Sequence, residues 1–201
     1  MIKTSLLLLV FNGEKYLNRA LLSVYNQTVK LDEVLIVNDG SNDQTINIIN
    51  KWFDRLPIKI IKNEKNIGTF ASLKKGVLEC SGDLIFRIDH DDQWAINHVE
   101  EIIKLYFEDK NTKLFATRAI YLDEDFNFIK YSRYFSDKDI RKLLLWDNPI
   151  VQSSTAFFKK DFINLNRSPD LYYCEDYHLW IRLLNLGKLK FCNKETVKYY
   201  V

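Results

Sequence analysis

The chain has 201 residues, of which 47% are hydrophobic and 28% charged, with six glycines and three prolines. This composition is typical of one folded globular domain, and it excludes disordered, collagen-like and linker-rich proteins. Twenty-nine lysines and arginines nearly balance 27 acids, which leaves a net charge of +2. A nucleic-acid binder is usually strongly basic, so no nucleic-acid partner is expected. We predict a single domain over residues 1–201.

Cysteine usage is typical of a cytoplasmic protein. Cys80, Cys174 and Cys192 are odd in number, widely spaced and without a C-x-x-C pair. Neither a disulfide framework nor a zinc ribbon is expected from them. The apolar run at 5–11 leads into polar residues without a small-residue cleavage site, so we interpret it as a buried strand and not as a signal peptide. No segment has the ~20 apolar residues of a membrane span.

In the first half of the chain, apolar stretches of strand length alternate with helical periodicity. This alternation is typical of βαβ units and a mostly parallel sheet, whose strands are expected to be buried on both faces. The predicted strands are 4–11, 33–38, 58–62 and 83–88, and the predicted helices are 16–26, 44–55 and 70–79.

After residue 92 the pattern changes, without an internal repeat or a linker. The predicted helices are 95–108, 138–146 and 175–186, and the predicted strands are 114–122, 126–131 and 153–159, followed by two short strand-like runs. His98 is expected on the surface of its helix. The predicted fold class is α/β, with about 1–95 as a nucleotide-binding half and about 96–201 as a smaller, more variable lobe.

Acids, amides and turn glycines follow the predicted parallel strands. Ligands of open parallel sheets collect outside the carboxyl ends of the strands. The four strand ends are followed by Phe11-Asn12-Gly13, Asn38-Asp39-Gly40-Ser41, residues 63–68 and Asp89-His90-Asp91-Asp92. The last of these has three carboxylates within four residues, which repel one another unless a hard divalent cation binds them.

This acidic cluster has two other interpretations. A solvated acidic turn explains it without any ligand and remains an alternative. An EF-hand loop is the other, but Trp94 stands where that loop needs a glycine, and a strand precedes the cluster where a helix is required. A Mg²⁺ or Mn²⁺ ion that bridges a bound diphosphate accounts for the cluster better, because such ions take one or two carboxylates plus phosphate oxygens.

Four segments together resemble family 2 glycosyltransferases of the GT-A fold. They are LLLLVFNGEKYLNRALLSVYNQT (6–28), EVLIVNDGSNDQT (33–45), NIGTFASLKKGVLECSGDLIFRIDHDD (66–92) and EDYHLWIRLLNLGKLKF (175–191). They cover nearly the whole chain except about 93–150. The resemblance implies a Rossmann-like, mostly parallel central sheet flanked by helices, with an acceptor-side lobe in the second half. It also implies an inverting enzyme that uses a nucleotide-sugar donor.

The resemblance implies roles for individual residues. Phe11 is expected to stack on the nucleotide base, Asp39 to hold uracil and Asp89 to lie toward the ribose. Asp91 is the expected metal ligand and Asp92 a second candidate, with Mn²⁺ or Mg²⁺ as the cofactor. Asp176, the second acid of an E-D pair, is the expected general base. The full set expected to bind the nucleotide sugar is Leu9, Phe11, Asn12, Asp39, Asn66, Gly68, Lys74, Asp89 and His90.

The E-D pair also has a purely structural interpretation. Leu179, Leu183 and Leu186 repeat at helical spacing, so the segment is expected to be an amphipathic core helix. Acids near a helix N-terminus are favoured by the macrodipole without any catalytic role. The residues alone therefore leave the role of Asp176 open.

The sequence departs from the family pattern at several positions. Ser72-Leu73-Lys74 stands where the family has Ala-Arg-Asn, so an arginine expected near the phosphates is missing, and Lys74 or Lys75 is the candidate substitute. The chain ends where relatives are expected to continue with a histidine-containing stretch. These departures motivate one alternative, a catalytically silent domain that binds a nucleotide sugar or recruits a partner. A nucleotidyltransferase is a second, but the Gly-rich basic loop it needs after the first strand is absent.

The expected partners follow from this resemblance. They are a nucleotide-sugar donor, most simply a UDP-sugar, and a glycan or lipid-linked glycan acceptor of a bacterial surface polymer. The expected location is the cytoplasm, with peripheral contact at the cytoplasmic face of the inner membrane.

Overall fold

The computed structural model describes residues 2–136, 138–165 and 175–201, and within them the chain forms one sheet of nine strands. The first half alternates strands and helices, as its periodicity predicts. Its elements are β1 (Thr4–Val10), α1 (Leu17–Tyr25), β2 (Glu33–Asn38), α2 (Thr45–Asn50), β3 (Ile58–Lys62), α3 (Thr69–Glu79), β4 (Leu84–Asp89) and the short β5 (Gln93–Trp94).

The second half continues the same sheet. Its elements are α4 (His98–Glu108), β6 (Thr112–Leu122), β7 (Phe128–Tyr131), α5 (Ile140–Leu143), a 3₁₀ turn (Gln152–Ser154), β8 (Thr155–Phe158), α6 (Lys159–Leu165), α7 (Glu175–Leu186) and β9 (Lys188–Tyr200). The strand order is β3-β2-β1-β4-β8-β6-β9-β5, with β7 paired to β6. Six of the nine strands, β1 to β4, β6 and β9, run in one direction. The predicted mostly parallel α/β sheet is therefore confirmed.

Helices cover both faces of the sheet, because the side chains of the central strands alternate between two apolar clusters. Leu6 and Leu8 of β1 pack on one face with the buried side chains of α1, α2 and α4. Leu7 and Leu9 pack on the other face with α3, α5, α6 and α7. Leu179 and Leu183 of α7 are buried in this second cluster, as their helical spacing predicts.

Three expectations about local structure were wrong. The edge strand β3 is not buried on both faces, because Lys59 and Lys62 lie exposed on it. The two short terminal strands are one 13-residue strand, β9, whose pairing with β6 shifts register at several points. His98 is not a surface residue: it is completely buried and stacks on Trp94, with ring centroids 4.3 Å apart.

Candidate active site

A polar cleft of about 420 Å³ opens at the carboxyl ends of the parallel strands. The register explains its position, because Val10 of β1 pairs with Asn38 of β2, and Leu9 pairs with Asp89 of β4. The three strands therefore end at the same level, and the residues that follow them meet. Residues lining the cleft are Leu9, Val10, Phe11, Asp39, Asn66, Gly68, Thr69, Ser72, Asp89, His90, Asp91, Gln152 and Tyr199.

Most of the residues predicted to bind donor or metal meet in this cleft. Of the eleven, eight line it: Leu9, Phe11, Asp39, Asn66, Gly68, Asp89, His90 and Asp91. Phe11 presents a ring that is 43% exposed at the rim, as stacking on a flat base requires. The structure does not bring Asn12, Lys74 or Asp92 to the cleft, and each has a local reason.

Asp39 fixes the loop that forms one wall of the cleft. Its carboxylate is buried and accepts hydrogen bonds from Asn63 Nδ2 at 2.8 Å, from the Ile67 amide at 3.0 Å and from the Gly68 amide at 3.0 Å. Gly40, beside it, adopts a φ of +78°, and a Cβ there would come within 2.5 Å of the Lys65 backbone. The β2 turn and the loop before α3 are thus in direct contact.

Asp89 lies at the end of β4, where a buried arginine and an amide hold its side chain. Arg87 Nη2 and Gln152 Nε2 both donate to Asp89 Oδ1, at 3.3 and 3.2 Å. Burial raises the pKa of Asp89, the Arg87 guanidinium opposes that rise, and the carboxylates of Asp91 and Asp176 add to it. The contribution of Asp176 shows that its carboxyl lies within electrostatic reach of the cleft.

Asp91 and Asp92 are adjacent in sequence but have different surroundings. Asp91 lines the cleft, and its backbone oxygen accepts a 2.6 Å hydrogen bond from Arg19 Nη2. Asp92 is only 1% exposed; its carboxylate accepts hydrogen bonds from Ser153 Oγ and from the Tyr200 amide. Burial and the nearby charge of Asp89 raise the pKa of Asp92 well above its usual value.

A divalent ion fits part of this donor set. No three His, Cys, Asp or Glu side chains in the described ranges are grouped so as to hold a metal by themselves. Mg²⁺ and Mn²⁺ do not require that, because they take one or two carboxylates and complete their shell with phosphate oxygens and water. Asp91, a hard oxygen donor on the cleft wall, fits this pattern. Asp92 does not, because it is buried and its side chain does not line the cleft.

Asn12 and Lys74 lie outside the cleft for different reasons. Asn12 connects two turns by hydrogen bonds. Its backbone N–H donates to Ser41 Oγ at 2.9 Å, and its side-chain Oδ1 accepts from the Asn42 backbone N–H at 3.0 Å. On α3 the cleft-facing positions are Thr69 and Ser72, one helical turn apart. Lys74 follows Ser72 by two residues, which on a helix turns its side chain to a different face.

Asp176, the predicted base, lies in the first turn of α7 with both carboxylate oxygens bonded. Its Oδ1 accepts from the Tyr177 amide at 2.6 Å, and its Oδ2 accepts from Asn148 Nδ2 at 2.9 Å. The side chain of its predicted neighbour Glu175 lies outside the described residues. Asp176 does not line the cleft itself, but its charge acts on Asp89, which does.

Besides the lining residues Val10, Thr69, Ser72 and Tyr199, sequence reasoning missed four residues that donate hydrogen bonds to the acids of the site. These four are Arg87, Asn148, Gln152 and Ser153. A signal existed for Arg87, since a fully charged residue within an apolar strand needs a buried partner. The other three come from the segment before β8, which reaches the cleft only through the sheet order. Their identities carry no local pattern that marks a site.

Comparison with known proteins adds a family assignment to this geometry. The family described as Glycosyl transferase family 2 matches residues 5–165. The UDP-Gal:alpha-D-GlcNAc-diphosphoundecaprenol beta-1,3-galactosyltransferase of Escherichia coli is 31% identical over 209 residues, covering 98% of this chain and 71% of that protein. The amylovoran biosynthesis glycosyltransferase AmsE of Erwinia amylovora is 28% identical over 186 residues, covering 91% and 70%.

Solved structures with the same fold include a Staphylococcus aureus protein. TarS residues 1–349 in complex with UDP-GlcNAc superimposes with a TM-score of 0.84 and 16% identity, covering all of this chain and 59% of that one. At 16% identity this structural likeness bears on the fold alone, and it confirms the predicted GT-A fold. The chain thus spans about 70% of the two curated relatives and about 60% of the TarS structure. No helix within the described ranges is long and apolar enough to cross a membrane.

Proposed function

The chain belongs to glycosyl transferase family 2, and we propose that it transfers a sugar from a UDP-linked donor to a hydroxyl of a bacterial surface-glycan precursor, with inversion at the anomeric carbon. The observation that carries the proposal is the cleft at the ends of β1, β2 and β4, which brings together residues from four separate turns. One relative is named for amylovoran biosynthesis and the other for a GlcNAc-diphosphoundecaprenol acceptor, and both names support the acceptor class.

The donor nucleotide would lie between Phe11 and Asp39. Phe11 offers an exposed ring for the base, and Asp39 is buried beside it on the cleft wall. An ionised carboxylate that accepts an imide N–H makes a charge-assisted hydrogen bond, which favours uracil over a base lacking that donor. The galactosyltransferase relative is named for a UDP donor, and TarS is solved with UDP-GlcNAc. Both support UDP as the carrier.

The diphosphate would lie over Asp89 and Asp91. We propose that Asp91 holds a Mn²⁺ or Mg²⁺ ion together with phosphate oxygens, and that Asp92 supports the turn from inside. Such an ion neutralises charge that develops on a leaving diphosphate. Arg87 limits the rise in the pKa of Asp89, and so helps to keep this acid ionised on the cleft floor.

Asp176 is proposed as the general base. Its charge acts on Asp89, which lines the cleft at the end of β4. A carboxylate there would accept the proton of the attacking hydroxyl as the anomeric bond to the diphosphate breaks. One base acting opposite the leaving group is the arrangement of direct displacement, which inverts the anomeric carbon.

A lipid-linked acceptor would bring the protein to a membrane surface from the cytoplasm. Leu145 and Trp146, which follow α5, are 74% and 88% exposed. They immediately precede the segment that contacts Asp176 through Asn148. Trp at a protein surface favours the lipid–water interface, so we propose this pair as the membrane contact. Sedimentation with vesicles of anionic phospholipid tests it: a Leu145→Ser/Trp146→Ser variant should sediment less, and equal sedimentation contradicts the assignment.

Calorimetric titration with UDP, with and without Mn²⁺, tests the donor site. Tight binding that depends on Mn²⁺ is expected, with the dependence lost in Asp91→Asn and retained in Asp92→Asn. Binding that is the same with and without Mn²⁺ would contradict the proposed role of Asp91.

Release of UDP from UDP-galactose and UDP-N-acetylglucosamine separates an enzyme from the alternative, a silent binding domain that the absent phosphate-site arginine motivates. Asp176→Asn should bind UDP as tightly as the parent does. It should hydrolyse the UDP-sugars at least ~100-fold more slowly, since that is the usual contribution of a general base. Equal turnover in variant and parent would remove Asp176 from this role. Binding without any turnover in the parent would favour the silent domain.

A further inference from the structure

One short segment touches two of the carboxylates on which the proposed reaction depends. Asn148 Nδ2 donates to Asp176 Oδ2 at 2.9 Å, and Gln152 Nε2 donates to Asp89 Oδ1 at 3.2 Å. The two amides are four residues apart, between α5 and β8. The acids they contact belong to α7 and β4, elements far apart in the sequence. We refer to residues 148–153 as the strap.

The strap is anchored along its length, so its two amides have fixed positions. Ile150 and Val151 are 4% and 7% exposed and pack into the apolar clusters on opposite faces of the sheet. Ser153 is completely buried; its Oγ accepts from the Asp89 amide at 2.9 Å and donates to the Asp92 carboxylate. Trp94 Nε1 donates to the Ser153 backbone oxygen at 2.7 Å.

The chemistry of the two contacts suits groups that must stay ionised. An amide N–H donated to a carboxylate stabilises the charged form, and it weakens the carboxylate as a base less than a full countercharge would. A lysine at either position would form an ion pair instead. A carboxylate at either position would force a proton to be shared between two acids. Asn148 orients Asp176 without either effect, and Gln152 adds a neutral donor to Asp89, which Arg87 already pairs.

We propose that the strap is a positioning element, in which Asn148 orients the base Asp176 and Gln152 orients Asp89, so that one rigid segment sets the separation between the base and the donor diphosphate. This inference rests on the proposed function, since it takes Asp176 as the base. Neither amide needs to touch the reacting atoms for this role. Gln152 also lines the cleft, so its loss is expected to affect donor binding, whereas loss of Asn148 is not.

The competing interpretation is that Asn148 merely tethers α7 to the loop. Kinetics and binding distinguish the two. In Asn148→Ala, kcat for hydrolysis of the UDP-sugar that the parent turns over should fall about 10- to 100-fold, the range for losing one hydrogen bond to a charged group. Its KM and the Kd for UDP should stay within about twofold. Gln152→Ala should instead raise the Kd for UDP. Asn47→Ala, which removes an exposed amide bonded to Gln44, is the matched control and should change neither.

A double-mutant cycle completes the test. If Asn148 acts through Asp176, adding Asn148→Ala to Asp176→Asn should slow the residual hydrolysis no further. An equal further loss in the Asp176→Asn background, or a raised Kd for UDP in Asn148→Ala, would overturn the positioning role. Full activity of Asp176→Asn would instead refute the proposed base. Low activity of Asp176→Asn with normal activity of Asn148→Ala would refute the strap alone.

Discussion

His98 provides a prediction whose size follows directly from the structure. The ring is completely buried, stacks on Trp94 and lies with Nδ1 2.7 Å from Thr196 Oγ1. Burial lowers the pKa of His98 to about 3, from 6.5 for an ordinary histidine. Below pH 6.5 the unfolded chain therefore binds a proton that the folded chain does not, and this favours unfolding. Stability from this source is complete above the unfolded pKa and falls as the pH drops toward the folded pKa.

The magnitude can be worked out for a convenient pH range. With pKa values of 6.5 unfolded and about 3 folded, His98 alone lowers the free energy of unfolding by about 2 kcal/mol between pH 7 and pH 5. The perturbation is His98→Phe, which keeps a flat ring against Trp94 but cannot titrate. Urea denaturation, followed by tryptophan fluorescence at pH 7, 6 and 5, measures the difference between parent and variant.

The variant should be less stable than the parent at pH 7, because it lacks the contact with Thr196. That deficit should shrink by about 2 kcal/mol at pH 5, since only the parent loses stability by proton uptake on unfolding. The other ionisable groups contribute equally to both proteins and cancel in the difference. A deficit that is constant from pH 7 to pH 5 would refute the reasoning, because it would mean that His98 titrates alike in folded and unfolded chains.

Three further predictions concern the cleft and the core. Gly40→Ala should lower both the melting temperature and the UDP affinity. The φ of +78° at this position and a Cβ 2.5 Å from the Lys65 backbone would force the turn to move. A melting temperature by thermal unfolding and a Kd for UDP by calorimetry that both equal those of the parent would contradict this. Asp39→Ala removes the acceptor of two backbone amides in the cleft wall and should cost about 1–3 kcal/mol of stability, measurable by urea denaturation, whereas a loss well below that range would mean the loop is held otherwise. Burial raises the pKa of Cys80 to about 12 and also raises the pKa of Cys192, but only Cys192 is partly exposed. Iodoacetamide at pH 8 should therefore modify Cys192 faster than Cys80, as measured by mass spectrometry, and rapid alkylation of Cys80 in folded protein would show that the site opens.

Local patterns predicted the first half of the fold well, for an identifiable reason. A continuous apolar run such as 33–38 is typical of a strand covered on both faces, and β2 has those bounds. The same argument failed for β3, because apolar content does not reveal that a strand lies at the edge of a sheet. The prediction that His98 lies on the surface was wrong for a related reason. A histidine is compatible with the buried or the exposed face of α4, and only the packing against Trp94 decided that His98 is buried.

The candidate site divides in the same way. Phe11, Asp39 and Asp91 follow strands that were predicted to be parallel, and parallel strands end at one edge, so their meeting in a cleft was predictable. The direction in which each side chain points was not. Asp91 and Asp92 are indistinguishable in sequence, yet one lines the cleft and the other is bonded to Ser153, 61 residues further along the chain.

The sequence by itself determined the alternation of strands and helices, the two apolar faces of the sheet and the set of polar residues at the strand ends. These depend on short-range periodicity and on chain direction, which are properties of neighbouring residues. Only the tertiary structure decided that β8 inserts between β4 and β6, and so brings Asn148 and Gln152 to Asp176 and Asp89. The two hydrogen bonds join residues that are 28 and 63 positions apart in the sequence. They depend on how the strands are ordered in space, and no local pattern in the sequence encodes that order.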